Sequence, residues 1–179
     1  MNKALYIDCG EFILRLPKES DMKDRLEIGR SVEFVKMCGG DVVNFKPFTE
    51  DEIRSWYERI NTSPCEWVIE QYGRCIGATR LTVQQDNTGI YSIGIFDDKL
   101  YGKGIGTKVT IAVLNYAFDI LSLDSVNLKV AEFNKRGIRC YEKCGFKQIG
   151  TEHEAFCADG VMYSDIIMKI SKSEYNDNT

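Results

Sequence analysis

At 179 residues, 44% hydrophobic and 28% charged, the chain has the makeup of one soluble globular domain long enough to bury a sizeable core. A formal net charge of −4 speaks against a nucleic-acid partner, which needs a concentrated basic face, and leaves room for electrostatic steering of a cationic acceptor. No apolar run approaches the roughly 18–20 residues that cross a bilayer, so no membrane partner is expected.

Taken in chain order, the opening MNKALYIDCGEFILRL carries Asp8 and Glu11 inside its apolar part. It makes a poor signal peptide, and a cytoplasmic location is expected. GEFILRLP alternates Phe12, Leu14 and Leu16 with other residues and ends at Pro17, as a first strand would. KESDMKDRLEIGRSVEFVKMCGG is helix-rich and stops on Gly39-Gly40. FTEDEIRSWYERI opens a second helix with Thr49 and Glu52 in capping-box spacing. CEWVIEQYGRCIGATRLTVQ and GIYSIGIF read as strands, the first turning at Tyr72-Gly73. In TKVTIAVLNYAFDILSL, Val109, Ala112, Val113, Tyr116, Ala117, Ile120 and Leu121 follow i, i+3, i+4 spacing and predict an amphipathic helix. SVNLKVAEF is a strand, NKRGIRCYEKC a short helix ended by Gly145, and HEAFCADGVMYSDIIMKI two strands turning at Asp159-Gly160. The order predicts a mixed α/β (α+β) fold with one parallel crossover, occupying residues 1–171 as a single domain. The polar tail over 172–179 is expected to be disordered.

Seven cysteines are scattered along the chain, and without a secretion signal they are expected to be reduced. Cys140 and Cys144, with His153 downstream, invite a zinc reading, but no second Cys-x-x-Cys pair completes a tetrahedral site. No metal is expected.

The segment YGKGIGTK, Tyr101 to Lys108, concentrates glycine between a strand and a helix. A P-loop would require glycine where Thr107 stands, and the dinucleotide fingerprint fails at Thr107 or Val109. Two readings remain: a tight turn between a strand and a helix, and a loop whose backbone N–H groups, with the following helix N-terminus, wrap a pyrophosphate. Lys103 and Lys108 add positive charge.

LYGKGIGTK resembles the acetyl-CoA loop, R/Q-x-x-G-x-G/A, of the GCN5-related N-acetyltransferases, with Gly104 and Gly106 at its glycine positions and Tyr101 in place of Arg or Gln. NKRGIRCYEKCGF resembles that family's second signature, and YGKG, NYAFDILSLDSVNLKV and the closing hairpin are similar to the ribosomal-protein and spermidine acetyltransferase branch. The resemblance implies a central mixed, mostly antiparallel sheet flanked by helices, with a V-shaped splay at the acetyl-CoA site. It implies acetyl-CoA as co-substrate and direct attack by an amine in a ternary complex. It places Gly94, Ile95 and Phe96 beside the pantetheine arm, and Tyr101, Gly102, Lys103, Gly104, Ile105, Gly106 and Thr107 around the pyrophosphate. Asn134 and Lys143 then contact the coenzyme, and Tyr141 protonates the departing thiolate. Glu70, Glu132, His153 and Glu154 are candidate bases, with a water chain as the alternative. Trp56, Tyr57 and Trp67 are candidates to line the acceptor pocket, and Glu50, Asp51 and Glu52 to attract a cationic acceptor. The expected acceptor is a small-molecule amine or a protein N-terminus, and a homo-oligomer is compatible with the family. A different class, a non-catalytic acyl-CoA sensor or partner domain, would bind the thioester without consuming it.

Overall fold

The computed structural model describes residues 6–40, 42–43, 45–158 and 160–177. Their strands form one eight-stranded sheet in the order β1-β2-β3-β4-β5-β6-β8-β7. A short hairpin, β1 (Tyr6–Asp8) and β2 (Ile13–Arg15), opens the chain. The single strand expected near Pro17 is thus shorter, and it has a partner that sequence periodicity did not reveal.

The helix-rich segment divides into α1 (Ser20–Ile28) and α2 (Val32–Met37). Gly29, at φ 72°, ends α1, and Ser31 caps α2 by accepting from the Phe34 N–H. With α3 (Glu50–Thr62), three helices precede β3 among the described residues, where two were expected. The capping box forms as read, Thr49 and Glu52 satisfying each other's backbone N–H groups.

β3 (Glu66–Gln71) and β4 (Arg74–Val83) turn at Tyr72-Gly73, both with positive φ. β5 (Thr88–Ile95) pairs antiparallel with β4 along its whole length. The amphipathic segment forms α4 (Ile105–Asn115) followed by a π-helical turn, Tyr116–Ile120. β6 (Ser125–Ala131), α5 (Lys135–Lys143), β7 (Lys147–Ala158) and β8 (Val161–Ser171) complete the sheet. β7 starts earlier than expected and is bulged between Glu152 and Phe156, with Glu154 at φ 51°. The turn read at Asp159-Gly160 falls partly outside the described residues. The tail is not frayed throughout: α6 (Lys172–Asn176) carries its own capping box from Ser171 and Glu174, and Tyr175 is buried against Phe118.

Every strand pair is antiparallel except β5 with β6. That parallel register covers only Thr88↔Ser125, Gly89↔Val126 and Ile90↔Asn127. Beyond it β5 continues to Ile95 and β6 to Ala131 without pairing with each other, so the sheet opens in a V. The main core lies where α4 covers the sheet: Val109, Val113, Leu114 and Phe118 meet Trp67, Leu81, Tyr91 and Val126. This packing anchors the base of the V, and the loop before α4 faces its mouth.

Candidate active site

The mouth of the V opens on a cavity of about 520 Å³. Its walls are the end of β5, the glycine loop with the first turn of α4, one face of α5, and Phe34, Met37 and Cys38 from α2.

The β5 wall is an exposed strand edge. Backbone groups alternate in direction along a strand, and the Phe96 N–H donates to Ile76 O at 2.9 Å, toward β4. By that alternation Gly94 also points to β4, whereas Tyr91, Ile93 and Ile95 turn their N–H and C=O groups into the V. The Ile95 carbonyl does so visibly, accepting from Tyr101 Oη at 3.2 Å. The expected pairing of Gly94 and Phe96 backbone with a pantetheine arm is therefore off by one residue. Gly94 and Ile95 line the cavity. Phe96 does not; it is buried edge-on between Phe34 and Trp56, with centroids at 5.8 and 5.9 Å. Gly94 keeps the wall low, since a Cβ there would meet the Phe34 ring at 3.2 Å.

The loop turns through Gly102 and Gly104, at φ 77° and 80°, a conformation that side-chain-bearing residues rarely adopt. Gly104 is the N-cap of α4 and has no side chain to satisfy the first-turn N–H groups. Those of Ile105, Gly106 and Thr107 have no intrahelical acceptor, and with no acidic residue in that turn they leave a bare terminus whose field suits an anion. Tyr101, Gly102, Gly104, Ile105, Gly106 and Thr107 all line the cavity. Lys103 is exposed and does not, and Lys108 ion-pairs with Glu11 at 2.5 Å. At the position where Arg or Gln was expected, Tyr101 ties the loop to β5 and supports the Arg136 guanidinium 4.1 Å above its ring. Burial pushes the Tyr101 phenol up to about 12.

Positive charge comes instead from α5. Arg136, which also pairs with Glu33 on α2 at 3.3 Å, shares one helical face with Arg139, Cys140 and Lys143, and all four line the cavity. Sequence reading singled out Lys143 of these; the i, i+3, i+7 spacing of the three cations was the available signal. Asn134, also lining the cavity, caps α5 by accepting from the Gly137 N–H at 2.9 Å, so its oxygen is already engaged. Tyr141 is half-buried at the cavity, edge-on to Tyr91 and Phe146 with centroids at 6.3 and 5.9 Å. Its hydroxyl makes no hydrogen bond among the described residues. Burial raises its pKa above the ordinary phenol value, and the neighbouring Cys140 adds to the shift.

The candidate bases do not line this cavity. Glu70 is ion-paired with Arg15, Glu132 accepts from the Ser164 N–H at 3.0 Å, and His153 and Glu154 are exposed on β7. No group of three His, Cys, Asp or Glu side chains disposed for a metal occurs among the described residues. Trp67 is wholly buried, edge-on to Tyr116 at 5.3 Å, so it belongs to the core and not to an acceptor pocket. Trp56 packs on Phe96, and Tyr57 lies half-buried beside it on α3. Glu52 is committed to its capping box and to Arg30 at 3.2 Å, with Glu50 and Asp51 exposed in the same first turn.

Residues 11–147 match the family model for an acetyltransferase (GNAT) domain. The chain is 27% identical over 95 residues to an alpha/beta-tubulin-N-acetyltransferase 9 of Homo sapiens, covering 52% of this chain and 42% of that one. It is 30% identical over 81 residues to a spermidine N(1)-acetyltransferase of Escherichia coli (strain K12), covering 45% and 44% respectively. The matches thus span less than half the length of these two relatives. The crystal structure of spermidine N-acetyltransferase from Vibrio cholerae in complex with CoA and spermine superposes with a TM-score of 0.77 at 24% identity, over 93% of this chain and 98% of that one. A mostly antiparallel sheet opened by one short parallel pair, a glycine-rich helix N-terminus at its mouth, and the domain match agree: the chain belongs to the GNAT acetyltransferase family.

Proposed function

We propose that this chain is an acetyl-CoA-dependent N-acetyltransferase, transferring the acetyl group to a primary amine by direct attack in a ternary complex. The observation that carries the reading is one cavity uniting an open β5 edge, the bare N-terminus of α4, the cationic face of α5 and the free hydroxyl of Tyr141. These features fit acetyl-CoA in order along its length. The outward N–H and C=O groups of Ile93 and Ile95 match the amides of an extended pantetheine arm, as an added strand would. Gly104 to Thr107 offer N–H groups and the positive end of a helix dipole to a pyrophosphate. Arg136, Arg139 and Lys143 supply charge for the remaining phosphate.

Acetyl-CoA supplies an acyl group on a good leaving thiolate. An outward β5 N–H polarises the carbonyl, and Tyr141, protonated at neutral pH, donates to the leaving sulfur. The attacking amine loses its proton through water. The name of the spermidine-acetylating relative supports a small cationic acceptor, reached from the side of α2 and the β7–β8 hairpin, and the protein acts in the cytoplasm.

Thermal unfolding with acetyl-CoA, against ATP and NAD as controls, tests the coenzyme. Ligand at about 100 times its Kd adds roughly 2.7 kcal/mol, which raises Tm by about 5–10 °C for a domain of this size. Thioester consumption with a panel of primary amines then separates an enzyme from a non-catalytic acyl-CoA-binding domain. A rise with ATP alone would replace the reading by a nucleotide-binding one.

Substitution at the loop sharpens the test. A Cβ at Gly106 would lie 3.1 Å from Cys140 Sγ, on the cavity wall. Gly106→Val is expected to weaken acetyl-CoA binding at least ~10-fold, about 1.4 kcal/mol. Calorimetric titration measures the affinity, with circular dichroism showing that the helix content is kept.

A further inference from the structure

Two cysteines stand at this cavity in a relation that amine acetylation does not use. Cys140 lines the wall, its Sγ 3.4 Å from Thr107 Oγ1. One helical turn on, Cys144 directs its Sγ to within 3.7 Å of the Thr107 carbonyl oxygen. Both thiols converge on the first turn of α4, whose unpaired N–H groups favour negative charge.

The surroundings separate the two thiols. The neighbouring Cys144 thiol holds the Cys140 thiol below the ordinary thiol range, helped by the Thr107 hydroxyl and the charge of Lys143 and opposed by desolvation. The same proximity raises Cys144. Elsewhere burial pushes Cys9 up to about 11 and Cys75 up to about 12. Cys38, on the opposite wall of the cavity, is also raised by desolvation. The Cys140 thiol thus lines the coenzyme cavity beside the Thr107 hydroxyl, and a Cβ built on Gly106 would already crowd it at 3.1 Å. With Gly106 this close and the thiol on the cavity wall, a substituent on the sulfur takes up space in the cavity.

We propose that Cys140 is a thiol-modification site at which exchange with a low-molecular-weight disulfide blocks acetyl-CoA binding. This rests on the acetyl-CoA reading above. The Cys140 thiolate attacks one sulfur of R–S–S–R, forming Cys140–S–S–R. The reagent's S–S bond breaks, its electron pair leaves on R–S⁻, and that thiolate takes a proton from solvent. Cys140 is oxidised as one reagent sulfur is reduced. A reducing thiol reverses the reaction and reopens the cavity.

The probe is glutathione disulfide, added to the full chain in a Cys38→Ser/Cys157→Ser background that removes the two exposed thiols. Intact mass and peptide mapping locate the adduct, and acetyl-CoA titration is run before exposure, after it, and after dithiothreitol. The expected result is an adduct on Cys140, at least ~10-fold weaker acetyl-CoA binding, and recovery on reduction. Saturating acetyl-CoA should slow the modification. In Cys140→Ser the ratio of affinities with and without glutathione disulfide should be near one, and Cys144→Ala should slow the exchange. An unmodified Cys140 beside modification elsewhere overturns the proposal, as does unchanged affinity with Cys140 fully modified. Failure of the reduced protein with its own Cys38 and Cys157 to bind acetyl-CoA would instead overturn the coenzyme reading, and the proposal with it.

Discussion

Replacing Tyr141 by phenylalanine is expected to lower kcat by about 10²-fold while acetyl-CoA raises Tm as in the parent protein. The substitution removes one oxygen and little else. The edge-on contacts with Tyr91 and Phe146 are made by the ring, and the hydroxyl has no hydrogen-bond partner to abandon among the described residues. Stability should therefore stay within about 0.5 kcal/mol, so a fall in kcat reports lost proton donation. The pH profile gives a second check. The protonated phenol is the active form, and burial raises its pKa. Activity in the parent should persist on the alkaline side past the ordinary phenol value of about 10 before this group titrates. Steady-state kinetics with an accepted amine measure both effects. An unchanged kcat in Tyr141→Phe would return proton delivery to water.

The largest stability effect is expected far from this cavity. Arg15 on β2 holds Asp21 on α1 through two bonds, Nη1 to Oδ2 at 2.8 Å and Nη2 to Oδ1 at 2.7 Å. The Lys18 N–H adds a third bond to Asp21 at 2.7 Å, and Glu70 on β3 takes the Arg15 Nε. Asp21 is 0% exposed and Arg15 7%. Asp21→Ala leaves a buried guanidinium half-paired, at a cost of about 3–5 kcal/mol. That corresponds to a Tm lowered by roughly 6–20 °C, read by calorimetry. Glu27, half accessible and paired across the surface with Arg74 at 3.0 Å and Lys23 at 3.8 Å, makes the contrast. Glu27→Gln should cost under about 1 kcal/mol. Equal losses from the two substitutions would mean that the Arg15 network has an alternative partner.

The same network shows why the N-terminal half was less legible than the rest. Nothing in the spacing of Arg15, Asp21 and Glu70 announces a contact, because it joins two strands and a helix brought together only by folding. Likewise KESDMKDRLEIGRSVEFVKM has helical composition throughout, and its division at Gly29 depends on one residue taking φ 72°. The capping box at Ser171 and Glu174 was visible as S-x-x-E. It forms a helix because Tyr175 finds Phe118, with ring centroids 5.2 Å apart, and Asn115, at 2.7 Å from its hydroxyl. A polar pentapeptide alone is too short to hold a helix.

What the sequence by itself determined is the set of features governed by neighbours along the chain. The glycine turn before α4, the Thr49 capping box, the Tyr72-Gly73 turn and the apolar face of α4 depend on backbone freedom and on i, i+3, i+4 proximity. The resemblance of LYGKGIGTK and NKRGIRCYEKCGF to the two family signatures is what joined the loop to Tyr141. The tertiary structure alone decided which backbone groups of β5 face the V. That parity is set by how β5 registers on β4, and a shift of one residue reverses every donor. It also decided that Phe96 and Trp67 pack in the interior, that Lys108 turns to Glu11, and that Arg136 and Arg139 face the cavity. Each of these depends on which surfaces meet, and sequence separation does not encode that meeting.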